Sequence, residues 1–143
     1  MRKILVAYDG SLLSRKAIEE AKRQAKKTAK SEVHIVSTVK DTGPTTNAPI
    51  ARGFQTELME KFEPQMERIR EEFEKEGIPI STDILFGRPN ENPGKKICMY
   101  AREHEIELII AGSRGLGKVK NILLGSVSSN IVHHAECPVL IMK

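Results

Sequence analysis

The chain has 143 residues, 39% apolar and 29% charged, with a formal net charge of +4 and two cysteines. That length supports one domain, residues 1–143, with a proper core, and is short for two. No apolar run approaches the roughly 20 residues that span a bilayer, and the apolar run after Met1-Arg2-Lys3 is shorter than the roughly 7–15 residues of a signal peptide. A cytoplasmic protein with no disulfide framework is expected.

Lys3 to Tyr8 is a short, nearly continuous apolar run, as in a buried parallel strand. Asp9-Gly10-Ser11 breaks it, and Ser11 is placed to cap a helix. Leu13, Ala17, Ala21, Ala25 and Ala29 then recur every four positions, with Ile18 beside them. That pattern predicts an amphipathic helix from Leu12 to Lys30 with a narrow inner face. Val33 to Val39 reads as the second strand. Residues 40–53, rich in Gly, Pro, Thr and Asn, read as a long connection.

A second helix is expected through Leu58, Phe62, Met66, Ile69 and Phe73, with a kink or restart at Pro64 and a stop at Gly77. Ile78 to Phe86 holds the third strand. Asn92-Pro93 reads as a cap followed by proline in the first turn of a third helix, which carries Ile97, Tyr100 and Ala101. Ile106 to Ala111 is the fourth strand. A helix through Val127, Ile131, Val132 and Ala135 and a final strand, Pro138 to Met142, close the chain. Strands alternating with helices imply βαβ units and a parallel sheet covered on both faces.

Residues 1–30 hold nine Lys/Arg against three Asp/Glu, and residues 57–76 hold eight acidic against four basic. Basic residues without interleaved aromatics argue against nucleic acid and for a solvated helix face. His133, His134 and Cys137 cluster, but they lack a second ligand pair at metal-site spacing, so no metal is expected there.

The loop after the fourth strand carries the chemistry. GSRGLGKVKNILLGSVSSN, residues 112–130, is glycine-rich and too long for an ordinary connection of about 2–6 residues. The dinucleotide fingerprint G-x-G-x-x-G fails, because Lys120 stands where the third glycine belongs. Gly112 to Lys118 fits G-x-x-x-x-G-K, but Val119 replaces the Ser or Thr that would bind magnesium.

Gly112-x-x-Gly115, nine residues, then Gly125-Ser126 matches G-2x-G-9x-G-[S/T]. With KILVAYDGS at the start and CPVLIMK at the end, the whole chain resembles the ATP-binding class of the universal stress protein family. Residues 88–91 and the 40–53 connection look like departures from its usual pattern. The resemblance implies an α/β, Rossmann-like three-layer domain with a five-stranded parallel sheet of order 3-2-1-4-5 and two helices on each face.

It also implies a site for ATP, ADP or AMP. Gly112, Ser113, Arg114 and Gly115 would cradle the phosphates, their amides forming a nest. Gly125, Ser126, Val127 and Ser128 would offer free N–H groups and hydroxyls at a helix start. Arg114, Lys118 and Lys120 are nearby cations. Asp9 would hold the ribose or a Mg2+ travelling with ATP, unless it only caps its own turn. Ala7 and Ala111 would wall the base and ribose, and the Val39 backbone would meet adenine.

No general base is evident, so the resemblance points to a nucleotide-dependent switch in stress response, with slow hydrolysis or none. A nucleotide-independent interaction module and a slow ATPase are the alternatives. The family's strand order puts Pro138 to Met142 at a sheet edge, from which a homodimer is expected. An unidentified protein partner completes the expected set.

Overall fold

The computed structural model describes residues 1–40, 48–115 and 124–143. Five strands, β1 (Arg2–Ala7), β2 (Ser31–Lys40), β3 (Ile80–Gly87), β4 (Leu108–Gly112) and β5 (Val139–Met142), alternate with four helices, α1 (Leu12–Lys26), α2 (Ala48–Lys75), α3 (Pro93–Glu103) and α4 (Ser126–His134). The strands form one sheet of order β3-β2-β1-β4-β5. Every pairing is parallel, and Val6 lies in register with Ile35 on one side and Ile110 on the other. This is the expected fold and strand order. The order reverses between β1 and β4, where open sheets of this kind make their ligand crevice.

Successive side chains of a strand point to opposite faces, so the sheet divides its apolar residues between two cores. Ile4, Val6, Val33 and Ile35 pack with Ala17, Ile18 and Ala21 of α1 and with Met66, Ile69 and Phe73 of α2. Leu5, Val36 and Ile109 pack with Ile97 and Tyr100 of α3 and Ile131 of α4. Two helices therefore cover each face. Alanines at three inner positions of α1 let that helix lie close to the sheet. No helix among the described residues is long and apolar enough to cross a membrane.

The caps follow the local sequence. The Ser11 hydroxyl accepts from the Ser14 N–H at 3.2 Å, and Asn92 Oδ1 accepts from the Gly94 N–H at 2.7 Å. Gly77 ends α2 with φ of +71°. Its N–H donates to the Glu74 carbonyl at 3.0 Å, while the Ile78 N–H donates to the Phe73 carbonyl at 3.0 Å. This paired closure leaves Ile78 in the turn, so β3 starts at Ile80.

Three expectations change. Residues 48–53, read as connection, belong to α2; residues 41–47 lie outside the described residues. Of the kink or restart expected at Pro64, the restart is absent, since α2 continues through that residue. Pro64 and Glu60 both face solvent, where water can satisfy the carbonyl that proline leaves without a donor. The basic face of α1, expected to be merely solvated, instead meets the acidic face of α2. Arg15 pairs with Glu72 at 2.6 Å, Lys22 bridges Glu72 and Glu76 at 3.4 and 3.5 Å, and Lys26 pairs with Glu76 at 2.7 Å. The uneven charge along the chain is thus partly complementary between two neighbouring helices.

Candidate functional site

β1 ends at Ala7, and the chain then turns sharply into α1. The Tyr8 N–H donates to the Val36 carbonyl at 2.8 Å, and the Ser37 hydroxyl donates to the Tyr8 carbonyl at 2.7 Å. Asp9 Oδ1 accepts from the Ser11 N–H at 2.9 Å. Gly10 follows in the left-handed region at φ +86°, where a residue with a side chain is strained. The Ser14 hydroxyl donates to the Ser11 carbonyl at 2.9 Å. Asp9 therefore does cap its own turn, through one carboxylate oxygen. The other oxygen, Oδ2, lies against Gly115, so closely that a Cβ there would collide with it.

β4 ends beside this turn. A Cβ on Gly112 would stand 2.8 Å from Leu13 Cβ. The two described ends of the loop are tied at one atom. The Ser113 carbonyl accepts from the Gly125 N–H at 2.6 Å and from the Ser128 hydroxyl at 2.8 Å. The Ser113 N–H is itself bound to the Met142 carbonyl at 2.8 Å. Ser113 thus links β4, β5 and α4.

Gly125 is the cap residue of α4, with φ −68° and ψ 171°, and has no side chain with which to cap this helix start. Any residue adopts those angles. Among the described residues, a Cβ on Gly125 would meet nothing closer than Arg114 Cα at 3.4 Å, an ordinary contact. Among the described residues, neither conformation nor contact with a Cβ explains why this position is glycine.

Between these loops lies a cavity of about 480 Å³, within the roughly 300–1,000 Å³ of small-molecule sites. One part of its wall is apolar, from Ala7, Val36, Ile97, Ala111 and Ile131, with Thr38 among them. The other is polar: Asp9, Arg114, the glycines 112, 115 and 125, and the first turn of α4 from Ser126 to Ser128. An apolar slot beside a helix start suits a flat apolar ring joined to an anion.

Ten of the twelve expected site residues line this one cavity: Ala7, Asp9, Ala111, Gly112, Arg114, Gly115, Gly125, Ser126, Val127 and Ser128. Ser113 and Val39 do not. Ser113 is spent on the loop ties, and the Val39 side chain is buried with 2% exposure, on the opposite face of β2 from Val36 and Thr38; the contact expected of Val39 is through its backbone. The Ser128 hydroxyl lines the wall but gives its hydrogen to Ser113. Lys118 and Lys120, like Val119, lie outside the described residues. His133 and His134 are exposed on α4, and no cluster of three metal-ligating side chains occurs among the described residues.

The sequence reading did not place Tyr8, Ser11, Ser14, Val36, Thr38, Ile97 or Ile131 in the site. A signal existed for two of them: once the end of β2 is placed at the crevice, strand alternation puts Val36 and Thr38 on one face. Nothing local marked Tyr8, whose hydroxyl donates to Gln65 Oε1 of α2 at 2.7 Å and so fixes the ring at the cavity wall.

The universal stress protein family model matches residues 1–143. Universal stress protein YxiE of Bacillus subtilis is 31% identical over 154 residues, covering 99% of this chain and 98% of YxiE. The structure of universal stress protein UspA from Lactobacillus plantarum superposes with a TM-score of 0.87 at 25% identity, over 99% of this chain and 97% of that one. A universal stress protein from Archaeoglobus fulgidus, solved in complex with dAMP, has the same fold, with a TM-score of 0.67 at 22% identity, over 100% of this chain and 98% of that one. The match along the entire sequence, the strand order and the superposition agree: this chain belongs to the universal stress protein family.

Proposed function

We propose that the cavity binds an adenine nucleotide, ATP or a shorter relative, and that its occupancy switches the protein between states read by a partner in a stress response. The observation that carries this reading is Gly125. Its backbone angles suit any residue and no described neighbour stands closer to its Cβ position than an ordinary contact, and it opens the start of α4 into the cavity. A phosphate approaching the N–H groups of Ser126 and Val127 supplies the missing reason. The apolar wall of Ala7, Val36 and Ile97 would take the base. The dAMP complex of the Archaeoglobus fulgidus protein supports the reading at the level of the fold.

Asp9 fits a Mg2+ that accompanies ATP. Magnesium commonly takes one or two protein carboxylates and completes its shell with phosphates and water. Asp9 Oδ1 is held by Ser11, which fixes the carboxylate, while Oδ2 borders the cavity loop. Bound magnesium would neutralise phosphate charge beside that carboxylate.

Asp9 is the one carboxylate, and no histidine is found, among the described residues that line the cavity. With the Asp9 carboxylate oriented as a turn cap, proton abstraction from an attacking water is poorly served, so turnover in this reading is slow or absent. The apolar edge strand β5 would pair with its twofold copy to form a homodimer. A cytoplasmic location belongs to the same reading.

The test is calorimetry with ATP on the wild type and Gly125→Val. The wild type is expected to bind. The variant should lose about 1–3 kcal/mol for each charged hydrogen bond it displaces. Equal affinity in the two proteins would remove the assignment.

A further inference from the structure

A second cluster of titratable side chains lies on the same face of β2 as the cavity wall, below it. His34, Val36 and Thr38 alternate along that face, and Val36 and Thr38 line the cavity. From the helix side, Ile97 lines the cavity, and Tyr100, three residues on along α3, covers His34. His34 is 4% exposed and Tyr100 5%.

His34 Nδ1 lies 2.9 Å from the Tyr100 hydroxyl. The His34 ring meets the Tyr100 ring edge-on at 5.8 Å, and Tyr100 stacks on His104 at 3.8 Å. The other ring nitrogen of His34, Nε2, is buried with no hydrogen-bond partner among the described residues. Glu32 Oε1 is 3.1 Å from it, off the line a hydrogen bond requires. The buried ring thus stands between a phenol at one nitrogen and a carboxylate beside the other, and its protonation decides how it pairs with each.

We propose that His34 makes the cavity acid-sensitive: protonation shifts its ring from Tyr100 toward Glu32 and loosens the α3 wall that Ile97 contributes to the cavity. Burial, then Asp83 on β3 and Glu32, push the Tyr100 hydroxyl up to about 12, so it stays a donor and the neutral His34 accepts from it at Nδ1. Acid places a hydrogen on that same atom. The O–H···N bond is then lost: the phenol must rotate its own hydrogen away, to no partner within the pair, before its oxygen can accept from the new N–H, while Glu32 attracts the new cation.

Groups from each neighbouring element bear on the ring. Burial pulls its pKa down most, Glu32 on β2 raises it, and His104 beyond α3 and Lys3 on β1 lower it, leaving His34 below the ordinary imidazole value. Because the folded protein resists this protonation, its stability falls as pH drops below the unfolded value of about 6.5, and the fall ends below the lowered folded value.

The ligand part of this inference rests on the nucleotide reading; the side-chain part does not. Two measurements therefore separate them. The first is NMR titration of the ligand-free protein from about pH 8 to about pH 5. Tyr100 and Ile97 resonances should move together with the His34 ring in the wild type and stay still in His34→Gln. The second is ATP calorimetry at the two ends of that range, taken as the ratio of wild type to His34→Gln, which cancels protonation of ATP itself. Wild-type affinity should fall about fivefold more than that of the variant. Tyr100→Phe keeps the ring and removes the hydroxyl, and should shrink both effects if His34→Gln folds poorly. Titration of His34 with Tyr100 and Ile97 unmoved would overturn the device. So would the same acid loss of affinity in wild type and His34→Gln. Absence of ATP binding at both pH values would defeat the nucleotide reading, leaving the NMR result to decide the device.

Discussion

Gly112 and Leu13 approach so closely that a Cβ at position 112 would stand 2.8 Å from the Leu13 Cβ, and 3.3 Å from the Leu13 carbonyl carbon. Backbone cannot retreat as a flexible side-chain tip can. Gly112→Ala should therefore cost about 1–3 kcal/mol by overpacking, with or without ligand. Gly125→Ala should change stability by less than about 1 kcal/mol, because no described atom stands closer to the methyl position than an ordinary contact. The two glycines of one motif thus divide between folding and binding. Thermal melts of both variants, with ATP calorimetry on Gly125→Ala, make the comparison. A Gly112→Ala protein as stable as wild type would refute the packing account.

Glu105 occupies the position after α3 that Gly77 occupies after α2. Its φ is +56°. The Ile106 N–H donates to the Ala101 carbonyl at 2.8 Å, and the Glu105 N–H donates to the Arg102 carbonyl at 3.2 Å. This is the same paired closure as at Gly77, made with a residue that has a Cβ. The left-handed conformation costs such a residue roughly 1–2 kcal/mol, and glycine's greater freedom in the unfolded chain cancels part of the gain. Glu105→Gly is expected to stabilise the protein by about 0.5–1 kcal/mol, read as a higher denaturant midpoint at unchanged slope. A lower midpoint would show that the Glu105 side chain contributes more than its backbone strain removes.

Glu72 joins α2 to two cations of α1. Burial pushes its pKa up, but the hydrogen bond and charge of Arg15, with the charge of Lys22, outweigh that and hold the carboxyl below the usual carboxylate range. A depressed carboxylate stabilises the fold above its unfolded value of about 4.3, and that stability is lost as pH falls through the lowered folded value. Glu72 and Arg15 are both over one-third exposed, so solvent screening limits the contribution to about 0.5–1 kcal/mol. Glu72→Gln should lose that amount at neutral pH and show a shallower acid limb in urea melts. Salt should narrow the difference between the two proteins.

Much of the fold was legible in the sequence, because apolar spacing decides it. Phe62, Met66, Ile69 and Phe73 recur at helical intervals, and each is buried. The strand order was a different matter: it came from family resemblance, since periodicity says nothing about which strands pair. Distant packing was also hidden. Gly94 reads only as a residue near a helix start, yet a Cβ there would stand 2.7 Å from Asn130 Cβ and from the Val127 carbonyl oxygen. That approach lets α3 lie close to α4 and depends on residues over thirty positions away. In the site, the glycine motif identified the loop. Whether each glycine serves a ligand or a neighbour appears only once Leu13, Asp9 and Arg114 are in place around them. Charge complementarity between α1 and α2 was visible as composition, but not as contact.

Asp9 gives the sharpest test of the nucleotide reading, because its two oxygens have different duties. Asn at this position keeps Oδ1 as an acceptor for the Ser11 N–H, so the turn should survive. It removes the negative charge that Oδ2 brings to the cavity loop. If magnesium bridges Asp9 and the phosphates, Asp9→Asn should bind Mg·ATP about tenfold more weakly, equal to about 1.4 kcal/mol. Without magnesium the sign should reverse: a carboxylate beside a polyphosphate repels it, so the variant should bind free ATP as well as wild type or better. Phosphate release should be well below the roughly 1–1000 s⁻¹ of ordinary enzymes in both proteins, since the site is shaped to hold the ground state. Calorimetry in magnesium and in excess chelator, with a phosphate-release assay alongside, reads all three. An identical magnesium dependence in the two proteins would confine Asp9 to its turn. Turnover of several per second would make the protein an enzyme instead of a switch.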